Sequence, residues 1–425
     1  MVYLFISVFL LLLALCALVR TPKINAVRTL WFIAGLLPSE LPWFFGGLQL
    51  VLIAVLLILG DLSSSTHLTA LILSVGTLTL WYGLHRKTYL SGTKLEQALC
   101  AGLGKDYQRN VSPDSVIQAP SVIGKKSWLK PFSFKRAGVE RVNDVAYGSD
   151  PRQKMDIYQM APPKEESVED SHKRPVLVYV HGGGWVMGSK HQQGQPLLNY
   201  LAQNGWLCVD INYRLSPKNR YPDSLVDVKT AIVWLKNNIH NYGGDPNFIA
   251  LAGGSAGGHL CALAALTPNV PQFQPGFEQS DTSVQAAVPI YGVYDFTNSK
   301  NTWSGKTLRQ FVQRLVMPAD KEDDPAFWRA ASPKFQVHNN ASPMMLIHGT
   351  TDALVFVEEA RDFAFTLAAH THAPWVYAEL PGAQHGFDLF HSVRTEYTIE
   401  AIGKFLRYCH QASRTPTPKG RGVFE

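Results

Sequence analysis

Long apolar runs dominate the start of the chain, and short ones separated by polar stretches fill the rest. Residues Val2 to Val19 carry no charge, Leu41 to Gly60 read LPWFFGGLQLVLIAVLLILG, and Leu68 to Leu84 read LTALILSVGTLTLWYGL. About 20 apolar residues cross a bilayer core, so these runs predict three transmembrane helices, the third of them short. Trp43 and the Trp81/Tyr82 pair fall at run ends, where interfacial aromatic belts are expected. The stretch 31–38 (WFIAGLLP) is too short to span and predicts an interfacial turn of helix or an early start to the second span. A cleaved signal peptide fits the first run poorly: no basic residue precedes it, no A-x-A site follows, and a leucine stands before Cys16. From Arg141 onward, apolar runs at 176–180, 207–211, 248–252, 284–291 and 344–348 predict buried strands. Helix-like spacing over 196–204, 223–240, 257–266 and 357–370 separates them. That alternation implies βαβ units and a parallel sheet covered on both faces.

Composition agrees with a chain partly in lipid. Of its 425 residues, 46% are hydrophobic and only 17% charged, which also argues against disorder and coiled coil. The net charge of +6 is local: residues 86–140 hold ten Lys/Arg against four Asp/Glu, whereas 141–425 hold 26 against 27. Bases beside a membrane region favour an anionic lipid surface, and nothing resembles a nucleic-acid module. Cys16, Cys100, Cys208, Cys261 and Cys409 form no CxxC pair, so neither a disulfide framework nor a thiolate zinc site organises the fold. The expected divisions are a membrane region at 1–85, a basic juxtamembrane segment at 86–140, a catalytic domain at 141–412 and a tail at 413–425.

Candidate chemistry sits at the strand ends. Strand 248–252 runs into Gly253-Gly254-Ser255-Ala256-Gly257-Gly258, a G-x-S-x-G turn ahead of a helix. In that context a serine occupies a strained elbow with its hydroxyl exposed, and the helix N-terminus behind it adds positive potential. Strand 176–180 ends in His181-Gly182-Gly183-Gly184-Trp185, whose glycine N–H groups suit an oxyanion hole completed by Ala256. His181 is expected to brace the loop. A base and an acid should follow in the order Ser, Asp/Glu, His. Asp352, after strand 344–348, and His385, in the HGF after VYAELPGAQ, fill those places; Asp295 and Asp388 are the competing acids.

The ordered set HGGGW (181–185), YRLSP (213–217), GGSAGG (253–258), HGTTD (348–352) and HGF (385–387) resembles the hormone-sensitive-lipase-like branch of the α/β-hydrolases. The resemblance covers about residues 141–410. It implies a carboxylesterase or lipase with the α/β-hydrolase fold, working through an acyl-enzyme without a cofactor or metal. It carries over Ser255, Asp352 and His385 as triad and Gly183, Gly184 and Ala256 as oxyanion donors. Two positions depart from the branch: Gly254 stands where an acid is frequent, and Ser216-Pro217-Lys218 where Ala-Pro-Glu is usual. The segment 296–333, with Trp303, Phe311, Leu315, Phe327 and Trp328, is expected to form a helical cap.

An amidase-type relative, such as a deacetylase, formamidase or isoprenylcysteine-methylesterase-like enzyme, shares these motifs and stays open as an alternative. A receptor or adhesion module of this fold normally loses a triad residue, and here all three are present. No propeller-like repeat precedes the hydrolase unit, which disfavours a peptidase. A membrane region suggests an amphipathic, lipid-derived ester as substrate. Arg20, Lys23 and Arg28 follow the first span and Arg86, Lys87 and Lys94 the third, while the loop after the second holds Asp61 and no base. That asymmetry predicts a multi-pass protein with its N-terminus outside and its catalytic domain in the cytoplasm.

Overall fold

One eight-stranded sheet organises the part of the chain after residue 138 in the computed structural model, which describes residues 1–20, 25–110, 129–161, 173–303 and 307–414. The strands are β1 (Val139–Ala146), β2 (Lys154–Met160), β3 (Arg174–Val180), β4 (Leu207–Ile211), β5 (Gly244–Gly254), β6 (Ala286–Ile290), β7 (Met344–Gly349) and β8 (Trp375–Leu380). Their order is β1-β2-β4-β3-β5-β6-β7-β8, with β1, β2 and β4 antiparallel and every pair from β4 to β8 parallel. The helices are α1 (Val2–Leu18), α2 (Asn25–Glu40), α3 (Pro42–Leu59), α4 (Ser65–Leu103), α5 (Gln195–Gln203), α6 (Asp223–Asn238), α7 (Ala256–Leu266), α8 (Thr307–Phe311), α9 (Pro325–Ala330), α10 (Val357–His370) and α11 (Val393–Arg414).

Central strands are apolar on both sides because both faces are covered. Val176, Val178 and Val180 of β3 join one core with α6, α7 and α10, while Leu177 and Tyr179 join another with α5 and α11. The buried run at 284–291 is shorter as a strand, because pairing with β5 and β7 ends at Ile290. The N-terminal strands β1 and β2 and the 22-residue α11 go beyond what the apolar pattern predicts.

The second core has an unexpected contributor: Leu95 and Leu99 of α4. This helix is 39 residues long, about 58 Å at 1.5 Å per residue, roughly twice the hydrocarbon thickness of a bilayer. Its first half is the third apolar run. Its second half lies against α11, where Gly92 leaves room for the Tyr397 ring and Lys404 Nζ meets Glu96 Oε2 at 3.0 Å. The expected 85/86 division therefore falls inside one helix. Residues 111–128 of the basic segment and 415–425 of the tail lie outside the described residues.

Two of the predicted spans, α3 and α4, are long and apolar enough to cross a membrane; α1 is an apolar helix of 17 residues. Ser7 of α1 and Ser74 of α4 share a 2.9 Å hydrogen bond, and Leu10, Leu52, Leu56 and Ala70 pack together. Trp81 does not stand in an interfacial belt. It is buried between helices, stacked on Phe45 with centroids 5.3 Å apart, because its indole fills the bundle core; Tyr82 beside it is exposed. The expected turn at 31–38 is part of α2, a separate helix that carries Pro38 in its last turn and lies against the sheet-containing unit.

Candidate active site

The carboxyl ends of β3, β5, β6, β7 and β8 lie side by side and bring the candidate residues to one edge of the sheet. β5 pairs with β3 up to Val180↔Gly253, so the Gly182 loop and Ser255 leave the sheet together. Ser255 has φ 58° and ψ −120°, a left-handed backbone that non-glycine residues seldom adopt, and it opens α7. Its N–H donates to Ile290 O at 2.9 Å, which fixes the turn against β6. Gly257 is required by close approach: a Cβ there would stand 1.9 Å from Val180 O. Such a turn lifts the Ser255 side chain above the sheet at the N-terminus of an 11-residue helix.

Gly183 and Gly184 have φ 116° and 61°, conformations that a side chain would strain. A Cβ at Gly182 would lie 3.1 Å from Ser255 Cβ, so this loop borders the serine directly. Among the described residues no backbone carbonyl takes the N–H groups of Gly183, Gly184 or Ala256. Phe311, in the segment expected to form a cap, comes within 3.2 Å of where a Gly184 Cβ would stand. His181 braces the loop from below. Its ring stacks on Tyr213 at 4.3 Å, Tyr213 Oη donates to His181 O, and burial pushes the imidazole down to about 4. Ser216 N–H donates to Trp185 O, and Trp185 Nε1–H to His259 Nδ1 at 3.2 Å.

His385 Nδ1 meets Asp352 Oδ2 at 2.7 Å, both residues buried. Asp352 Oδ1 accepts from the N–H groups of Leu354 and Val355, each at 2.8 Å. His348 lies beside the carboxylate: its Nε2 is 2.9 Å from Val355 O, its hydrogen-bond partner, and 3.3 Å from Asp352 Oδ2. Burial works to raise the Asp352 carboxyl, but the His385 charge and the His348 and His385 hydrogen bonds hold it well below the usual carboxylate range. The acid is thus ionised and fully engaged. The competing acids are committed elsewhere: Asp295 takes Thr297 and Ser299 within its own loop, and Asp388 takes the Tyr291 hydroxyl.

Tyr291 links the two halves of the site. It follows β6, its ring lies 4.6 Å from that of His385, and its hydroxyl occupies the space a Cβ at Gly254 would need, 2.7 Å away. Glycine at 254 is therefore a steric consequence of Tyr291.

α2 also reaches the site. Arg28 Nε donates to Ala353 O at 3.1 Å and Nη2 to Leu354 O at 3.0 Å, the two residues after Asp352. Its guanidinium sits 4.4 Å over the Phe356 ring. Phe32, one helical turn on, presents its ring edge-on to His385 with centroids 6.2 Å apart. At the end of α2, buried Glu40 pairs with Arg394 and accepts from Ser392 Oγ. Arg28, Phe32 and Ser39 share one face while exposed Leu30, Ile33 and Leu37 share the opposite one, a helical period present in the sequence.

A family model described as BD-FAE matches residues 155–367. Over 97% of its length the chain is 37% identical to the probable carboxylic ester hydrolase LipM of Mycobacterium tuberculosis, covering 96% of that protein. It is 45% identical over 269 residues to esterase LipC of the same organism, 63% of this chain and 65% of LipC. Among solved structures, propionate-bound esterase Est2 from Thermogutta terrifontis superposes with a TM-score of 0.52 at 24% identity, covering 67% of this chain and 97% of that one.

Proposed function

The chain belongs to the BD-FAE family and is a carboxylic ester hydrolase of the α/β-hydrolase fold; from that premise we propose that Ser255, His385 and Asp352 are its triad and that it acts at a membrane. The observation that carries the triad is the 2.7 Å contact between His385 and a fully engaged Asp352 on the edge where Ser255 emerges.

In this reading Asp352 holds His385 Nδ1–H, leaving Nε2 to act as base. Ser255 Oγ attacks the ester carbonyl carbon as its proton passes to His385. The carbonyl oxygen becomes an oxyanion facing the N–H groups of Gly183, Gly184 and Ala256, each worth roughly 3–4 kcal/mol of transition-state stabilisation. Collapse breaks the bond to the alcohol oxygen, which takes the proton from His385. Water then repeats the sequence on the acyl-enzyme and releases the carboxylic acid. His348 positions Asp352, and the segment 296–333 is the cap, seated on Gly184 through Phe311.

The membrane reading rests on contacts between the helices. Tyr3 packs on His67 and Ser7 on Ser74, so the chain start and the 60–67 turn share one end of the bundle. Arg20 reaches Glu358 and Arg28 reaches Ala353, so the first basic flank shares the other end with the hydrolase unit, as does the C-terminal half of α4. Three crossings satisfy this arrangement, and the basic flanks favour the cytoplasmic side for the catalytic unit.

The full chain in detergent should hydrolyse p-nitrophenyl acyl esters, prefer them to the matching anilides, and lose nearly all turnover as Ser255→Ala. Equal turnover by Ser255→Ala would contradict the assignment, and preference for the anilides would favour the amidase alternative. Impermeant maleimide on intact cells should label a cysteine placed at Ser63 and spare one at Lys94; the reverse pattern would put the hydrolase outside.

A further inference from the structure

We infer that Phe32, carried by a helix of the N-terminal region, is the wall against which the alcohol part of the ester lies, and that this alcohol is a bulky apolar group. The inference rests on the triad proposed above. His385 must return its proton to the leaving oxygen, so that oxygen has to come within about 3 Å of the imidazole. Whatever is attached to the oxygen then extends over or past that ring. Among the described residues, two aromatic side chains border His385: Tyr291, buried with its hydroxyl committed to Asp388, and Phe32, which is only half-buried. Phe32 is thus the one of the two that can meet a substrate.

Its position is secured at both ends of α2. Arg28 ties the helix to the carbonyls following Asp352, and Glu40 ties it to Arg394 and Ser392. Gly184, on the proposed oxyanion loop, faces Phe311 from the segment between β6 and β7, far along the chain from Phe32. The opposite face of α2 is apolar and open, with Leu30 67% and Ile33 64% exposed, and the helix links α1 to α3 along the chain. A bulky apolar alcohol fits against the half-buried Phe32 ring, and a small hydrophilic one leaves it unused.

The test compares the full chain in detergent with Phe32→Ala and Phe32→Leu on two ester series. One keeps a butyryl group and enlarges the alcohol from methyl to hexyl; the other keeps methanol and lengthens the acyl chain. Truncating an apolar contact of this size is worth roughly 10-fold or more in discrimination. Phe32→Ala should lower kcat/KM for hexyl butyrate about tenfold relative to methyl butyrate, with Phe32→Leu restoring most of it and the acyl-length profile keeping its shape. An equal fall for every alcohol, or a change that follows acyl length, would overturn the inference while leaving the triad standing. Failure of the wild-type chain to turn over any ester of either series would overturn the triad reading and this inference with it.

Discussion

The Ser255 turn and helix α2 reach the candidate site by opposite routes. The turn is built locally: a strand, four glycines and a helix between Gly244 and Leu266 force one left-handed serine, and the geometry follows from steric exclusion. α2 is built by tertiary contact, with Arg28 donating to carbonyls 325 and 326 residues away and Glu40 pairing with a residue 354 away. The first kind of site is written in a motif. The second is visible only once the chain has folded, although both belong to one candidate site.

The sharpest break in the comparison is expected at the acid. Asp352→Asn should lower kcat by about 10⁴, because an amide no longer fixes the His385 tautomer. The same variant tests the electrostatics. The Asp352 carboxyl titrates below its ordinary value of 3.8, so its stabilisation is present in full above that value and is lost as the pH falls through the lower folded one. Unfolding midpoints measured from pH 5 downward should fall more steeply for wild type than for Asp352→Asn; parallel slopes would contradict the role of the His348 and His385 contacts.

A break on the α2 side should appear first as stability. Glu40→Ala leaves Arg394 buried without its carboxylate, which costs roughly 3–5 kcal/mol. Denaturant unfolding in detergent would read this, and a loss below about 1 kcal/mol would mean that α2 is not held as described. Gly254→Ala sharpens the comparison from the motif side. The new methyl would meet the buried Tyr291 hydroxyl, a clash worth about 1–3 kcal/mol. Tyr291→Phe in that background should recover part of the loss, and a Gly254→Ala variant as stable as wild type would remove Tyr291 as the reason for glycine.

Much of the fold and the candidate site was legible in the sequence, and the exceptions share a cause. Buried parallel strands read as continuous apolar runs, so β3 to β7 were predictable, and the glycine motifs marked their ends. β1 alternates too little, with six of its eight residues exposed, to stand out. Asp352 was a candidate by chain order, and the partners each acid takes are what favour it over Asp295 and Asp388. Trp81 looked interfacial because its position in a run says nothing about which neighbour it faces. The α4 boundary failed because charge marks where a helix leaves lipid, and this helix continues into the second core. Arg28 counted only as a loop base, although its spacing with Phe32 and Ser39 already described a helical face.

The central claim is that Ser255 is the nucleophile activated by His385. Its most direct measurement is labelling of the full chain with a fluorophosphonate, followed by peptide mapping. One label per chain on Ser255, lost in Ser255→Ala and slowed strongly in His385→Ala, is the predicted result. Labelling of Ser255→Ala to the wild-type extent, or a label mapped to another residue, would contradict the account.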